Sequence, residues 1–272
     1  MAVVFALGYK YDFVRNKFIK TGSFEVRTNI GSDVYINYEY AGNTSFISKA
    51  FSKGQLLPRT YDVRLEKEGY QPWEKLMTIE AGFFTSFPRV VLMPAKFNEE
   101  VIATTSFSSI SSVLFDSEEK SVIVTGKHKI ETISFKNGQK ILKPKDKNTI
   151  AIKKNQGTNH LVSPDENKTA WFNDKEIWAE WLNDSKIPPY KASGTQEIIT
   201  RSSQRVQDIQ WYKDSEHLIV QADGILKFME IDTRGGLNIF DISTVSGPFY
   251  YDQDSDAIFK FTGNNLVKIP LK

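Results

Sequence analysis

From Ser23 the chain alternates with a period of two: Phe24, Val26 and Thr28 share one face, Glu25 and Arg27 the other. That is the signature of a half-buried strand. Asn29-Ile30-Gly31-Ser32 breaks the pattern as a turn, and Asp33 to Tyr38 alternates again. A looser stretch carries Gly42, Ser45, Ser48 and Gly54, after which Leu56-Leu57-Pro58 leads into Tyr61–Lys67. The turn Glu68-Gly69-Tyr70 precedes Trp73, Leu76–Ile79 and Arg89–Leu92. No window here has a helical period. Short strands at this spacing predict a small β-sandwich over 22–95. Phe83, Phe84 and Phe87 fall in a stretch read as a loop, an exposed aromatic patch suited to docking.

Beyond Ala95 the pattern repeats. Four segments run apolar, aspartate, polar, apolar: Val113–Asp116 then Val122–Val124; Leu161–Asp165 then Ala170–Phe172; Trp211–Asp214 then Leu218–Val220; Phe249–Asp252 then Ala257–Phe259. The aspartates Asp116, Asp165, Asp214 and Asp252 are 49, 49 and 38 residues apart. A further strand follows each pair, at Ile130–Phe135, Ile177–Leu182, Ile225–Met229 and Leu266–Ile269, after turns such as Ala222-Asp223-Gly224. Another precedes each unit, at Val101–Ala103, Thr149–Ile152, Glu197–Thr200 and Leu237–Phe240. Four strands per 40 to 50 residues predict propeller blades. The chain ends on the third strand of its last unit, so Val101–Ala103 is expected to supply the missing outer strand and close a four-bladed ring over 96–272. A fragment of a larger propeller or an open stack are the alternatives.

Residues 22–95 resemble the PEGA family, a small all-β module of bacterial and archaeal envelope proteins. The resemblance rests on Gly22-Ser23-Phe24-Glu25-Val26, the turn at Gly31, Val34-Tyr35-Ile36, Leu57-Pro58 before Tyr61-Asp62-Val63, Glu68-Gly69-Tyr70 with Trp73, and Val91-Leu92-Met93-Pro94. The tetrapeptide that names the family stands here as Asn29-Ile30-Gly31-Ser32, with only its glycine kept. The resemblance implies no catalytic residues. It also implies a membrane helix just ahead of the module, ending near Gly8-Tyr9. The later units resemble WD40-like and TolB-like blades, above all at Ser163-Pro164-Asp165-Glu166-Asn167-Lys168. In such blades the aspartate caps a turn.

Charge and composition narrow the chemistry. Lys plus Arg is 35 and Asp plus Glu 33, a net charge of +2, which argues against a dedicated nucleic-acid binder. There is no cysteine, so disulfides, thiol catalysis and cysteine-ligated metals are excluded. Aromatics make up 13%, in keeping with strands. Residues 1–21 are read as a membrane-proximal stub or linker. Val3–Tyr9 is too short to span a bilayer, and is read as a short strand or disordered tail, or as the remnant of an anchor flanked by Lys10, Arg15, Lys17 and Lys20.

The candidate sites are sparse. No nucleophile-elbow, phosphate-loop, metalloprotease or dinucleotide motif occurs. His128, His160 and His217 fall in different repeats and are read as turn or strand residues. Asp252, Asp254 and Asp256 have calcium-loop spacing, but Ala257 and Gly263 stand where such a loop needs Gly and Glu, so a solvated turn is the favoured reading. Lys127–Lys154 holds nine lysines, among them Lys143, Lys145 and Lys147, against Glu131 and Asp146. It is read as an edge-blunting face, with an anionic polymer as the alternative. Trp171, Trp178 and Trp181 are a sugar-stacking candidate, weighed against blade packing.

Together these features predict a non-catalytic binding or scaffolding protein of the cell envelope. It would be membrane-anchored in full-length form and extracytoplasmic, use no cofactor, bind no nucleic acid, and have a cell-surface polymer or envelope protein as partner. The alternatives are a glycan-active propeller enzyme and a cytoplasmic interaction scaffold.

Overall fold

The computed structural model describes residues 7–144 and 160–272, and within them every regular element is a strand. The chain forms two compact units. One comprises Met1–Ala95, Glu180–Ile199 and Met229–Phe240; the other comprises Lys96–Ala179, Thr200–Phe228 and Asp241–Lys272.

The first unit opens with a hairpin, β1 (Tyr9–Asp12) against β2 (Lys17–Lys20). Then come β3 (Gly22–Thr28), β4 (Asp33–Ile36), β5 (Glu39–Asn43), β6 (Ala50–Leu56), β7 (Thr60–Glu66), β8 (Trp73–Thr78) and β9 (Phe84–Val90). These seven form the expected sandwich, a three-stranded sheet β6-β3-β9 and a four-stranded sheet β5-β4-β7-β8. Period-2 burial is clean in β3 and β8: Phe24, Val26, Trp73 and Met77 face inward while Arg27 and Glu74 face out. The core joins these to Val34, Val63, Leu65, Phe87 and Leu92, and each such side chain contributes about 1.5–3 kcal/mol. The looser stretch around Gly42 and Gly54 holds two strands, β5 and β6, which lack strong alternation because they are largely exposed.

Phe84–Val90 corrects the sequence reading. It is a strand, paired in parallel with β3, and not a loop. Phe87 is 4% exposed, a core residue packed edge-on against Trp73. Alternation along β9 is hidden because Phe84 stays exposed while both Ser86 and Phe87 are buried.

The repeats form four four-stranded sheets. Strand β10 (Glu100–Thr104) comes first. The first blade is β11 (Ser112–Asp116), β12 (Ser121–Thr125), β13 (Lys129–Ser134) and β14 (Lys140–Pro144). The second is β15 (Leu161–Val162), β16 (Lys168–Phe172), β17 (Glu176–Trp181) and β18 (Gln196–Arg201), and the third is β19 (Val206–Trp211), β20 (His217–Ala222), β21 (Ile225–Glu230) and β22 (Ile239–Thr244). The last is β23 (Phe249–Asp252), β24 (Ala257–Thr262) and β25 (Asn265–Pro270), completed by β10, which pairs antiparallel with β25 from Glu100↔Lys268 to Thr104↔Asn265. The fold is therefore all-β, a sandwich with a four-bladed propeller-like repeat. One detail differs from expectation: the outer strand of the first blade is Lys140–Pro144, whereas Thr149–Ile152 lies outside the described residues.

Aromatic and aliphatic packing joins the last blade to the first. Phe135 stacks on Phe259 at 4.4 Å and on Tyr250 at 5.4 Å, and Ala103, Val122, Val124 and Leu266 share that core. Each blade aspartate caps its turn. Asp116, Asp165, Asp214 and Asp252 accept backbone N–H groups of Glu118, Asn167, Glu216 and Ser255 at 2.9–3.1 Å. Burial works against the charge on Asp165, but hydrogen bonds from Ser163 and Asn167, with Lys168 nearby, outweigh it and hold the carboxyl down to about 2.

Candidate functional site

The candidate site lies in the first unit, on β8 and β9. One of the two outer strands of the three-stranded sheet is β9. In a parallel pair, alternate residues point their backbone groups to opposite edges. The Phe83 carbonyl faces β3, where it accepts Ser23 N–H at 3.1 Å, so Phe84, Ser86 and Pro88 face outward. The outward Ser86 carbonyl accepts Arg234 Nη2 at 2.9 Å, and Pro88 has no N–H to offer. This edge is blunted against further strand pairing.

Side chains build a groove beside it, with a volume of about 620 Å³. Its walls include Leu76, Phe83, Phe84, Pro189, Tyr190 and Arg234. Phe83 is 65% exposed and Phe84 59%, and Leu76 and Tyr190 are exposed as well. Arg234 and Lys191 are its fixed cations: the Arg234 guanidinium lies 4.2 Å from the Phe87 ring centroid and pairs with Asp232 at 2.6 Å, and Lys191 pairs with Glu197. A floor that pins a cation over an aromatic ring, under lips of exposed aromatics, suits an elongated ligand with apolar or stacking faces.

The support is a buried ion pair. Lys75 is fully buried, with Nζ 2.6 Å from Glu230 Oε1 and 2.6 Å from the Asp232 carbonyl. The other oxygen of Glu230 accepts Trp73 Nε1 at 3.0 Å, and Asn238 donates to Oε1 from its backbone and its amide. Backbone bonds run alongside: Leu76 N–H donates to the Gly235 carbonyl at 2.8 Å and Glu74 N–H to Asn238 Oδ1 at 3.1 Å. Segment 229–240 thus covers the β8 edge of the four-stranded sheet.

The remaining sequence candidates are dispersed. Trp181 is buried at 2% exposure and packed under Lys191, so it is a core residue. Trp171 and Trp178 are half-buried and stack on neighbouring strands at 6.0 Å, with His160 on the other side of Trp171 at 4.3 Å. Glu176 accepts Trp178 Nε1 at 3.1 Å and Arg201 Nε at 2.9 Å. Lys143 is exposed on β14; Lys145 and Lys147 lie outside the described residues. All three aspartates meet lysines: Asp252 pairs with Lys120 at 2.5 Å, the exposed Asp254 with the same Lys120 at 3.2 Å, and the buried Asp256 with Lys213 at 2.6 Å. Among the described residues no three metal-ligating side chains converge. His217 is buried and bonded to Asp214 at 2.7 Å.

Sequence reasoning missed one cavity, of about 450 Å³, in the second unit. Ser117, Lys120, Val162, Gln210, Tyr250 and Asp254, drawn from all four blades, line it. Gln210 is committed to the backbone of Phe249 and Tyr251. No spacing rule brings these residues together; only the closed order of blades does.

The comparisons with known proteins bear on the first unit. Residues 21–90 match the PEGA domain family. No curated protein matches the chain. Among solved structures the chain is similar to the extracellular domain of a hybrid two-component system protein from B. thetaiotaomicron, at 11% identity and TM-score 0.32, covering 97% of this chain and 31% of that one. It is also similar to Hsv2 of Kluyveromyces lactis, at 12% identity and TM-score 0.28, covering 78% and 66%. A chain of the mitotic checkpoint complex gives 11% and 0.31, covering 85% and 69%. The present chain spans about a third of the length of the first of these. Likeness at this level carries no argument, and the fold assignment rests on the sheets themselves.

Proposed function

We propose that this chain is a non-catalytic binding or scaffolding protein of the cell envelope, displayed outside the cytoplasm and membrane-anchored in its full-length form. The observation that carries the reading is the groove with exposed aromatic lips, which PEGA-matched residues of β8 and β9 form together with residues 188–191 and 234–235. The partner is a cell-surface polymer or an envelope protein, engaged through side chains because the β9 edge is blunted. The groove holds aromatic faces and two cations, Arg234 and Lys191, and its one lining carboxylate, Glu80, is not the pair that glycan hydrolysis needs.

Binding to isolated cell-wall sacculi and to a glycan array, with wild type and Phe83→Ala/Phe84→Ala, tests the ligand. Wild type is expected to bind and release the polymer unaltered, and the double variant to lose at least tenfold in affinity, in the manner of aromatic hot spots. Silence on both supports, or cleavage of the polymer, overturns the reading. Surface labelling of intact against lysed cells separates it from a cytoplasmic scaffold, which would label only after lysis.

A further inference from the structure

The β1–β2 hairpin ends in an ordered tip with its apolar residues turned outward. Phe13 is 88% and Val14 93% exposed. The turn is well built: Asp12 Oδ1 accepts the N–H groups of Val14 and Arg15 at 2.9 and 3.2 Å. Asn16 takes the left-handed conformation at φ +51°, and Tyr11 Oη donates to its side chain. Tyr11 also meets the Phe13 and Phe18 rings edge-on at 5.1 and 5.2 Å. The tip is therefore held outward by its own hydrogen bonds, so presenting it to a partner costs little ordering entropy.

Charge identifies the partner. Lys10, Arg15, Lys17 and Lys20 are all exposed. The only acid between residues 7 and 20 is Asp12, which is buried and occupied with the turn, its second oxygen 3.9 Å from Arg15 Nε. Arg15 and Lys17 flank the apex, and Lys10 and Lys20 stand further back at the base of the hairpin; an apolar apex followed by basic residues matches the layering of a bilayer surface, acyl boundary first and anionic headgroups behind it. A nucleic acid would match the basic residues but leave the apex in water.

We infer that the Phe13–Val14 tip dips into the headgroup region of an anionic membrane, and that Lys10, Arg15, Lys17 and Lys20 bind its phosphates. The hairpin is a peripheral contact, distinct from any spanning anchor. This deepens the proposed envelope function and rests on its membrane placement. The contact holds the first unit close to the membrane.

Sedimentation with large unilamellar vesicles tests it, using the 272-residue chain and either phosphatidylcholine alone or phosphatidylcholine with about a third phosphatidylserine. Binding is expected only to the anionic vesicles, weakening as salt rises from 50 to 500 mM. Phe13→Ser/Val14→Ser is expected to reduce partitioning about tenfold or more at unchanged Tm. The chain has no cysteine, so Val14→Cys accepts a single environment-sensitive dye. Its emission should shift to the blue on anionic vesicles. The Phe46–Ile47 turn, also highly exposed in the same unit, supplies the rival: Phe46→Ser/Ile47→Ser is expected to bind as wild type. No binding to anionic vesicles, an unshifted dye, or loss in the Phe46/Ile47 variant with the Phe13/Val14 variant intact overturns the inference. So does tip-dependent dimerisation without lipid. Vesicle binding can fail while surface labelling succeeds, so the two proposals fail separately.

Discussion

Asp208 on β19 carries a charge that its surroundings do not support. Burial raises its carboxyl above the usual range, only partly offset by the Ile209 N–H at 2.9 Å and a long contact from Gln210. Asp165 shows the opposite outcome, since there burial is outweighed by three partners. A carboxyl with a raised folded pKa adds stability while protonated, below its unfolded value near ~3.9, and loses it as pH rises through the folded value. Asp208 therefore weakens the fold at neutral pH. Asp208→Asn is expected to raise Tm at pH 7, with the gain shrinking towards zero near pH 3. A lower Tm at pH 7 would show that Asp208 has an ionic partner in solution.

At the scale of elements, the β8 edge is what the sequence least discloses. Alternation marks Trp73, Lys75 and Met77 as one face, yet a lysine between a tryptophan and a methionine reads as a flaw in the pattern. It becomes intelligible only with Glu230, far along the chain, whose carboxylate neutralises it. Removing one partner of such a pair leaves the other buried and unpaired, at a cost of about 3–5 kcal/mol. Lys75→Met should cost that much in urea unfolding; a change near zero would mean that Glu230 reaches water. Gly235 tests the backbone part. It sits at φ +69°, and a Cβ there would fall 2.4 Å from the Leu76 carbonyl oxygen. Gly235→Ala should therefore destabilise by more than ~1 kcal/mol, and slow hydrogen exchange at Leu76 should be lost. Legibility follows locality. β3, β7, β8 and the blade aspartates show in the sequence because alternation and turn caps are local. β5, β6, β9 and β14 do not, because half-exposed edges relax the pattern. Of the candidate groove, Phe83 and Phe84 are visible from sequence, but Tyr190 and Arg234 reach it only through the fold.

The repeat domain as a whole depends on one non-local pairing. An open stack of four sheets would leave the β25 edge bare, and bare edges recruit other chains. Here β10 covers it, and Ala103 carries the contact into the core shared by the last and first blades. Lys260, almost fully buried on β24, is bonded to Glu99 at 2.8 Å, just ahead of β10, and to Ser243 and the Thr244 carbonyl, each at 2.7 Å. The closing strand is thus held by backbone pairing, apolar burial and a buried cation together. Deleting Glu100–Thr104 is expected to lower Tm by several degrees and to produce concentration-dependent association through the exposed edge of β25. Because a deletion also shortens the connection from Ala95, Ala103→Asp gives an independent measure. It keeps the chain length and places a carboxylate in the apolar core beside Leu266, so the same loss is expected, largest at neutral pH and smaller in acid, where the new group is protonated. An unchanged melting curve for both variants would show that β10 does not close the repeat in solution. Loss in the deletion alone would place the effect in the shortened connection and not in the closure.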